Sequence, residues 1–448
     1  MPHLGLDIGT TSISAVVLPP GGGAPLFART IPNAGDLRSP RAYERIQDPL
    51  RIRRESLALV DAALTAVPGV RGIGVTGQMH GMLYLDAGGA PLGPLYTWED
   101  GSGNQPMEGE TTCAAALGAL TGYKVASGFG CVTLFAHARR GEIPPGAAQI
   151  CTIHDYIAMS LCGLERPLMH SSDAASYGLF DLRKGRFDTD ALAKADLPAE
   201  LFPAVTGAFD VLGAYKGVPV TVAIGDNQAS FLGSAAYPAE SVLVNFGTGS
   251  QLSMAAPYLP PERVAPGAEL RPLCGDQYLY VGSALCGGRA WAALASFFSA
   301  VPLSSAVPLS DEHNLDSIYA MMNGLVGDLI SPPPGEALLV DTRFAGTRQT
   351  PGLRGSVGNL GLENFTPRHL AWGVLFGMAE ELHRCYRESG LTRELLLGSG
   401  NALRKNAALR LAVEETFGLP LAIPPVTEEA ACGAAEAARR SAVSRSDS

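Results

Sequence analysis

A small-residue turn near the N-terminus has the residue types that can hold a phosphate group. It comprises residues 7–12 (DIGTTS) and follows an alternating apolar segment that predicts a β-strand. Successive backbone N–H groups in such a turn can form an anion-binding nest, to which the hydroxyls of Thr10, Thr11 and Ser12 add donors. Asp7 could act on the phosphate through Mg²⁺, which takes few protein carboxylates. An aspartate that only starts a turn is the alternative.

A second copy of this pattern begins 238 residues further along the chain. Residues 4–18 and 242–256 both indicate a strand, a small-residue turn and a second strand. Three positions are identical: Gly9 and Gly247, Thr10 and Thr248, Ser12 and Ser250. Asn245 stands where the first copy has Asp7, so the two turns are not chemically equivalent. Together the two hairpins favour phosphate binding over a chance similarity.

A third glycine-rich turn, residues 397–401 (LGSGN), lies between a predicted strand and a predicted helix. A nucleotide could lie on that helix N-terminus, beside Gly400 and Asn401. Glycine also serves the geometry of strand-to-helix turns in any α/β protein, so this turn alone is a weak indication.

Two further carboxylates could do chemistry. Asp100 follows Trp98 in a predicted loop, where an aromatic face and a carboxylate suit a polyol. Asp226 follows an apolar strand and opens a helix, so it is either an N-cap or a general base. As a base it would accept the proton of a primary hydroxyl whose oxygen attacks a γ-phosphate.

Residues 72–77 (GIGVTG) match the GxGxxG dinucleotide pattern, but they lie inside a predicted strand. No helix follows them, which argues against dinucleotide binding. These glycines are expected to allow close packing and to let Gln78, Met79 and His80 project from the strand end. A purely structural role for His80 remains open.

Strands alternate with helices along the chain, which predicts an α/β fold. The predicted helices are residues 52–67, 226–236, 287–300, 367–388 and 402–417, and the predicted strands include 70–76, 220–224 and 394–397. A helical pattern stops before Pro238, which places two domains at 1–236 and 237–448 with a cleft between them. Residues after about 438 are expected to form a frayed tail.

Composition excludes several classes of protein. The 448 residues carry a net charge of -10, the wrong sign for general nucleic-acid binding. None of the five lysines follows a glycine, so there is no GxxxxGK[ST] phosphate loop, and CxxC and HExxH motifs are absent. The eight cysteines have no metal-site or redox-motif spacing, which favours a reducing compartment, the cytoplasm. No apolar run approaches the length of about 18 residues that spans a membrane.

These residues, in this order, resemble the FGGY carbohydrate kinases over nearly the whole chain. The resemblance implies the actin-like ATPase fold, in which two ribonuclease-H-like domains close on ATP and a sugar. It also implies a role for each matched residue: Thr10, Thr11, Ser12, Gly247, Thr248, Gly287, Gly400, Asn401 and Asn406 for ATP; Met79, His80 and Asp100 for the sugar; and Asp226 as catalytic base. With these roles we expect Asp7 to bind Mg²⁺ and Gln78, Trp98 and Asn227 to contact the sugar. Asn401 stands where the family usually has a second glycine.

Within this family, residues 127–131, 152–156 and 166–176 are similar to the sedoheptulokinases. Xylulokinases usually carry Lys-Asp-Tyr where this chain has His154, Asp155 and Tyr156. The resemblance therefore implies ATP- and Mg²⁺-dependent phosphorylation of the terminal hydroxyl of a ketose, with sedoheptulose the expected substrate. A pentulokinase such as a xylulokinase is one alternative, and a catalytically silent sugar sensor or an actin-like assembly protein is another.

Overall fold

The computed structural model divides the chain into two compact units. It describes all residues except 22, 108, 110, 301–312, 348–349, 351, 426 and 445–448, and only the backbone of 313–315 and 442–444. The first unit contains Met1–Ala236, Arg271–Gln277 and Pro425–Ser448, and the second contains Tyr237–Leu270 and Tyr278–Pro424. No helix in the described part of the chain has the length and apolarity needed to cross a membrane.

The first unit contains many short strands and helices. Its strands are β1 (His3–Ile8), β2 (Ser12–Leu18), β3 (Phe27–Pro32), β4 (Asp36–Leu37), β5 (Ile46–Gln47), β6 (Ile73–Gly77), β7 (Leu83–Leu85), β8 (Leu95–Tyr96), β9 (Gln149–Cys151), β10 (Leu168–His170), β11 (Phe180–Asp181), β12 (Arg186–Phe187), β13 (Ala204–Thr206), β14 (Val211–Tyr215), β15 (Val218–Thr221) and β16 (Ile224–Gly225). Its helices up to residue 236 are α1 (Pro49–Ala66), α2 (Cys113–Thr121), α3 (Gly130–Arg140), α4 (Ile153–Leu161), α5 (Ser171–Tyr177), α6 (Thr189–Lys194) and α7 (Asp226–Ser234), with 3₁₀ turns at Ser102–Asn104 and Ala199–Leu201.

The second unit is built around one larger sheet and several helices. Its strands are β17 (Ser241–Phe246), β18 (Ser250–Ala256), β19 (Ala268–Cys274), β20 (Gln277–Ala284), β21 (Leu339–Asp341), β22 (Ser356–Gly358), β23 (Leu395–Ser399) and β24 (Leu421–Ala422). The part of β19 from Arg271 onward and the first residue of β20, Gln277, are assigned to the first unit. Its helices are α8 (Gly287–Ala300), α9 (His313–Leu325), α10 (Pro367–Ser389), α11 (Asn401–Lys405) and α12 (Ala407–Phe417), with a 3₁₀ turn at Pro261–Arg263. The chain then continues into α13 (Glu429–Ser444), a helix of the first unit.

The main sheets of the two units repeat one strand order. The first sheet runs β14-β15-β6-β1-β2-β3, with β16 also paired to β6. Read in the same direction, the second runs β24-β23-β17-β18-β20-β19, so that β6-β1-β2-β3 corresponds to β23-β17-β18-β20. In both, an antiparallel hairpin (β1–β2 or β17–β18) is flanked by a parallel strand, β6 or β23. Asp7 pairs with Thr76, and its counterpart Asn245 pairs with Ser399. The repeat in the sequence therefore corresponds to a repeat in topology.

Strand β1 lies in the core of the first unit. Its apolar residues Leu4, Leu6 and Ile8 are fully buried and belong to one cluster with Ile52 of α1 and Ile157 of α4. A strand covered in this way reads as a nearly continuous apolar run. The polar residues that follow its last residue are thereby fixed at the edge of a rigid sheet.

The last helix corrects the predicted domain organisation. Residues 237–448 were expected to form one domain ending in a frayed tail after about 438, but α13 continues to Ser444 and packs on β1, β6 and α7. Its small residues allow this: a Cβ added at Gly5 would lie 1.7 Å from the carbonyl oxygen of Ala431, and one at Gly74 would lie 1.8 Å from that of Ala434. Gly74 thus has the packing role expected from the GxGxxG segment, because only a residue without a Cβ permits this approach.

The predicted helix at 402–417 is also wrong as a single element. It is interrupted at Asn406, whose Oδ1 accepts a hydrogen bond from the backbone N–H of Leu409 (3.0 Å) and so caps α12. The preference of asparagine for N-caps is the physical reason for the break. The helix predicted at 226–236 ends earlier, at Ser234.

Candidate functional site

The turn after β1 is held in place by side chains from later segments. Asn33 donates from its backbone N–H to the oxygen of Thr11 (2.9 Å) and from Nδ2 to the oxygen of Gly9 (2.8 Å). Gln47 Nε2 donates to the oxygen of Thr10 (2.9 Å). All three carbonyl oxygens are therefore engaged within the protein, which keeps them from facing an anion held by the turn. Neither Asn33 nor Gln47 was found from the sequence, because nothing local marks them.

Asp7 and Asp226 belong to the first unit, and the charge of Asp226 acts on the ionisation of Asp7. Burial, followed by the charges of Asp226 and Glu428, raises the pKa of Asp7 to about 7. Asp7 Oδ1 is buried and has no hydrogen-bond partner among the residues that the structure describes. An acceptor in this condition needs a cation, a proton or a ligand donor.

Asp226 is not the N-cap of α7, which was the structural alternative for this residue. The N-cap is Gly225, and Asp226 is the first residue of the helix. Burial raises the pKa of Asp226, while the His154 side chain and the backbone N–H of Asn227 oppose that rise. A buried carboxylate of raised pKa is a stronger proton acceptor than a surface carboxylate.

The available side chains suit Mg²⁺, which needs few protein ligands, better than a metal that is held by three or more side chains. No group of three or more His, Cys, Asp or Glu side chains within the described ranges is arranged to hold a metal ion. Mg²⁺ keeps several waters and usually takes one or two protein carboxylates, so the unpartnered oxygen of Asp7 suits it.

Gln78, Met79 and His80 follow β6 at the same edge of the sheet. The backbone N–H of Gln78 donates to the oxygen of Ile8 (2.9 Å), which continues the pairing of β6 with β1. Met79 is only 4% exposed, and a Cβ added at Gly225 would lie 2.7 Å from its sulfur. The Met79 side chain therefore packs against the residue that precedes Asp226.

His80 is held in an unusual backbone conformation. Its φ is 75°, a left-handed value that few residues other than glycine adopt. Its Nδ1 lies 2.7 Å from the oxygen of Ser176, and its ring stacks on Phe129 with the centroids 4.5 Å apart. Such strain persists only where the surroundings fix it, and it is concentrated at functional sites.

Trp98 and Asp100 lie on one loop but differ in exposure. The Trp98 ring is 47% exposed, and its Nε1 donates to Thr10 Oγ1 (2.9 Å). Asp100 is 1% exposed and accepts hydrogen bonds from the backbone N–H groups of Ser102 (3.0 Å) and Arg45 (3.4 Å). Burial raises the pKa of Asp100. The carboxylate thus supports the loop that presents Trp98.

A buried histidine and carboxylate pair lies near Asp226. His154 Nε2 and Asp173 Oδ1 are 3.0 Å apart and fully buried, although they are not aligned as a hydrogen bond. Burial, then the charge of Asp226, raises the pKa of Asp173 well above its usual range. Ser172 Oγ accepts from the backbone N–H of Gly225 (3.0 Å) and so ties α5 to the start of α7. Asp173 was not singled out from the sequence, since its partner His154 is far away along the chain.

Asn227 also has a partner that the sequence does not indicate. Its Oδ1 accepts from Arg271 Nη1 (3.2 Å), and the neighbouring Gln228 Nε2 donates to the oxygen of Pro272 (2.9 Å). Both partners lie in the Arg271–Gln277 segment, which returns to the first unit after the strands of the second have begun.

The second unit assembles its own turn, between β17 and β18. The backbone N–H groups of Gly288 and Arg289 donate to the oxygens of Gly247 (2.8 Å) and Thr248 (3.1 Å), so the start of α8 lies against the turn. A Cβ added at Gly287 would lie 2.4 Å from the Gly249 backbone. Gly287, Gly247 and Thr248 are thus brought together, as expected.

Three other predicted residues follow β23, the strand beside β17. Gly400 has φ +90°, and a Cβ there would lie 2.5 Å from the oxygen of Phe246, so this position requires glycine. Asn401 begins α11 directly after it. Asn406 lies at the far end of that helix, where its Oδ1 serves as the cap described above.

Comparison with known proteins decides the family. The family model described as "FGGY family of carbohydrate kinases, N-terminal domain" matches residues 3–233. The chain belongs to the FGGY family of carbohydrate kinases. This FGGY kinase is 30% identical to the sedoheptulokinase of Homo sapiens over 96% of both chains, and 28% identical to that of Mus musculus over 93% of both.

Solved structures show the same fold. A xyloylose kinase from Brucella ovis aligns with a TM-score of 0.79 and 24% identity, covering 99% of this FGGY kinase and 91% of that chain. A xylulose kinase from Rhodospirillum rubrum aligns with a TM-score of 0.78 and 23% identity, covering 98% and 89%. The predicted family, the enzyme class and the α/β, actin-like ATPase fold are thereby confirmed. The roles of individual residues remain predictions.

Proposed function

We propose that this FGGY kinase transfers the γ-phosphoryl group of ATP to the terminal hydroxyl of a ketose, converting sedoheptulose to sedoheptulose 7-phosphate. The observation that carries the proposal is Asp226, a half-buried carboxylate of raised pKa whose charge helps to raise the pKa of Asp7, the residue with the unpartnered oxygen. The choice of sugar is supported by the similarity to two sedoheptulokinases over more than nine-tenths of the chain.

Asp226 would be the general base. It accepts the proton of the terminal hydroxyl as that oxygen forms a bond to the γ-phosphorus and the bond from phosphorus to the bridging oxygen of ADP breaks. Its position as first residue of α7 fixes the carboxylate on a regular element. The backbone N–H of Asn227 opposes the rise in its pKa by hydrogen bonding to the carboxylate.

Asp7 would hold Mg²⁺ through its unpartnered oxygen, directly or through water. The bound ion supplies neutralisation of charge on the phosphate oxygens of ATP. The turn formed by Thr10, Thr11 and the start of β2 at Ser12 adds backbone and hydroxyl donors for the phosphates.

The remaining predicted contacts separate by unit. In the first unit, the candidates for the ketose are Gln78, Met79, His80, Trp98, Asp100 and Asn227. In the second unit, the candidates for the nucleotide are Gly247, Thr248, Gly287, Gly400, Asn401 and Asn406. Among the sugar contacts, His80 has the strongest structural support, because its strained backbone and stacked ring hold the imidazole in one orientation. We place the reaction in the cytoplasm, with a ketose and ATP as ligands and without a nucleic-acid or membrane partner.

The variant Asp226→Asn tests the proposed base. It keeps the size of the side chain and removes its basicity, so we expect normal folding and ketose binding with kcat lowered about a hundredfold or more. The matched control is Asp188→Asn, a carboxylate at the start of α6 in the same unit, which should retain wild-type turnover. Near-normal turnover of Asp226→Asn would contradict the assignment of Asp226 as the general base.

A ketose panel tests the substrate. ADP release is measured with sedoheptulose, xylulose and ribulose, and the values of kcat/KM are compared. Equal or better use of a pentulose would replace sedoheptulose with the pentulokinase alternative. Binding of a ketose without any ketose-dependent ADP release would favour the silent sensor.

A further inference from the structure

Gln47 is a buried residue whose side chain is fully committed to hydrogen bonds. It is 1% exposed, in β5, and its Nε2 donates to the oxygen of Thr10 (2.9 Å) and to Asp36 Oδ1 (2.9 Å). Its Oε1 accepts from Gln78 Nε2 (3.0 Å). The residue therefore connects the phosphate turn to the strand end that carries Gln78.

The connection closes into a ring. Thr10 Oγ1 donates to Gln78 Oε1 (3.3 Å), so Thr10, Gln47 and Gln78 each bond to the other two. Trp98 is attached to this ring through its Nε1, which donates to Thr10 Oγ1 (2.9 Å). Two proposed ketose contacts, Gln78 and Trp98, thus meet on a hydroxyl of the phosphate turn.

The chemistry of the partners fixes the direction of every bond in the ring. Gln47 faces a carbonyl oxygen and a carboxylate with one end of its amide, and that end must be the NH₂ group. Its oxygen then faces Gln78, which must present its own NH₂ there and its oxygen to Thr10. Indole Nε1 only donates, so the Thr10 hydroxyl accepts from Trp98 and gives its single proton to Gln78.

While the Thr10 hydroxyl gives its proton to Gln78, that proton is not available to a phosphate oxygen. The bond that uses the proton is the longest in the ring, at 3.3 Å. A ketose hydroxyl that donates to Gln78 Oε1 would compete with Thr10 for this amide oxygen, and a phosphate at the turn could then take the Thr10 proton. Filling the sugar site would then improve the phosphate turn as an anion site.

We propose that Gln47 is a positioning residue that locks the Gln78 amide and the Thr10 carbonyl, so that ketose occupancy is coupled to phosphate binding at the first turn. The inference rests on the proposed function for the ligands at the two ends of the ring. Gln47 itself touches neither ligand.

The coupling is measured by calorimetry with a non-hydrolysable ATP analogue, in the presence and absence of sedoheptulose. For the wild type we expect the ketose to tighten analogue binding about fivefold or more, within the usual range for coupled sites. Gln47→Met keeps the shape of the side chain and removes its hydrogen bonds, so the factor should fall below about twofold. Ketose-independent ATP hydrolysis should rise relative to ketose-dependent turnover in the same variant.

Two further variants separate coupling from damage to the fold. Gln149→Met makes the same substitution in β9 of the same unit and should keep the wild-type coupling factor. Trp98→Phe, at a half-exposed position, removes the Nε1 donor and should reduce the factor even if Gln47→Met fails to fold.

The outcomes distinguish this inference from the proposed function. A wild-type enzyme with ketose-dependent turnover but a coupling factor of one overturns the role of Gln47 alone, as does a wild-type factor in both Gln47→Met and Trp98→Phe. A wild-type enzyme with no ketose-dependent turnover on any ketose overturns the proposed function, and the inference with it.

Discussion

The two hairpin turns of this FGGY kinase share a topology and differ in charge. In the first, Asp7, the next-to-last residue of β1, has a buried, unpartnered oxygen and a pKa raised to about 7. In the second, Asn245 occupies the equivalent position, and its Nδ2 donates to Ser399 Oγ (2.7 Å). One turn keeps an unsatisfied acid and the other a satisfied amide.

This difference separates two tasks that a duplicated fold could have shared. The first unit also carries Asp226 and the buried pair of Asp173 and His154, and the charge of Asp226 acts on both Asp7 and Asp173. The second turn is formed mainly by backbone groups and by the close approach of Gly287 at the start of α8. Strand order alone does not distinguish the two copies, whereas the next-to-last residue of the first strand, Asp7 or Asn245, does.

The largest expected effect comes from making the first copy resemble the second. Asp7→Asn removes the carboxylate that would hold Mg²⁺, so we expect kcat to fall about a hundredfold or more. The same variant should melt at a higher temperature at pH 8, where wild-type Asp7 must ionise in a buried site. Steady-state kinetics measure the change in kcat, and thermal unfolding measures the change in melting temperature. A kcat within tenfold of wild type would mean that Asn serves as well as Asp at this position and that the two turns are functionally equivalent.

Steric tolerance should differ between the turns. Gly287→Ala places a Cβ 2.4 Å from the Gly249 backbone, whereas at Gly9 the nearest atom, the oxygen of Ser12, is 3.1 Å away. Overpacking of this kind typically costs about 1–3 kcal/mol, so Gly287→Ala should raise the KM for ATP about tenfold and lower the melting temperature. Gly9→Ala should change either quantity much less. Equal effects of the two variants would contradict the comparison.

Adding charge to the second copy should weaken nucleotide binding without supplying new chemistry. Asn245→Asp exchanges an amide for a carboxylate at the end of β17, and we expect the KM for ATP to rise about threefold to tenfold with little change in kcat. The rise should shrink in high salt because exposed charges are screened. The matched control is Asn245→Ser, which removes the amide without adding charge. A lower KM for Asn245→Asp would show that this turn also accepts a metal-bound phosphate.

The smallest effect concerns stability and pH. Burial, then the charge of Asp173, raises the pKa of Asp155 to about 7 from an ordinary value of 3.8. A raised carboxyl pKa contributes stability that is present below pH 4 and is lost as the pH rises through 7. Asp155→Asn can retain the oxygen that accepts from Thr152 in the cap of α4. The melting temperatures of both proteins are compared at pH 5.5 and pH 8.5. The decrease for Asp155→Asn should be smaller than the decrease for wild type by about 3–6 °C. Parallel melting curves would mean that Asp155 is not the group that titrates.

Much of this organisation was readable from the sequence because it depends on local patterns. The hairpins, the helix beginning at Gly287 and the strand containing Gly74 follow from apolar periodicity and turn residues. Asp226 was proposed from the sequence because it follows an apolar strand directly.

The failures concern contacts between distant segments. Through these side-chain hydrogen bonds, Gln47, Asn33 and Arg271 reach residues at least 24 positions away, and no local pattern marks them. The return of α13 to the first unit was missed for the same reason. An alanine-rich helix at a chain end resembles a tail until the glycines that receive it, Gly5 and Gly74, are known.

The position of α13 sets the order in which the protein can be completed during synthesis. Residues 237–424 leave the ribosome before the helix that covers β1 and β6 has been made. The surface around Gly5 and Gly74 therefore stays uncovered until α13 has been translated, although the strands that carry these glycines are translated early. A polypeptide released at residue 236 would keep that surface open permanently and would be a substrate for chaperones rather than a stable domain.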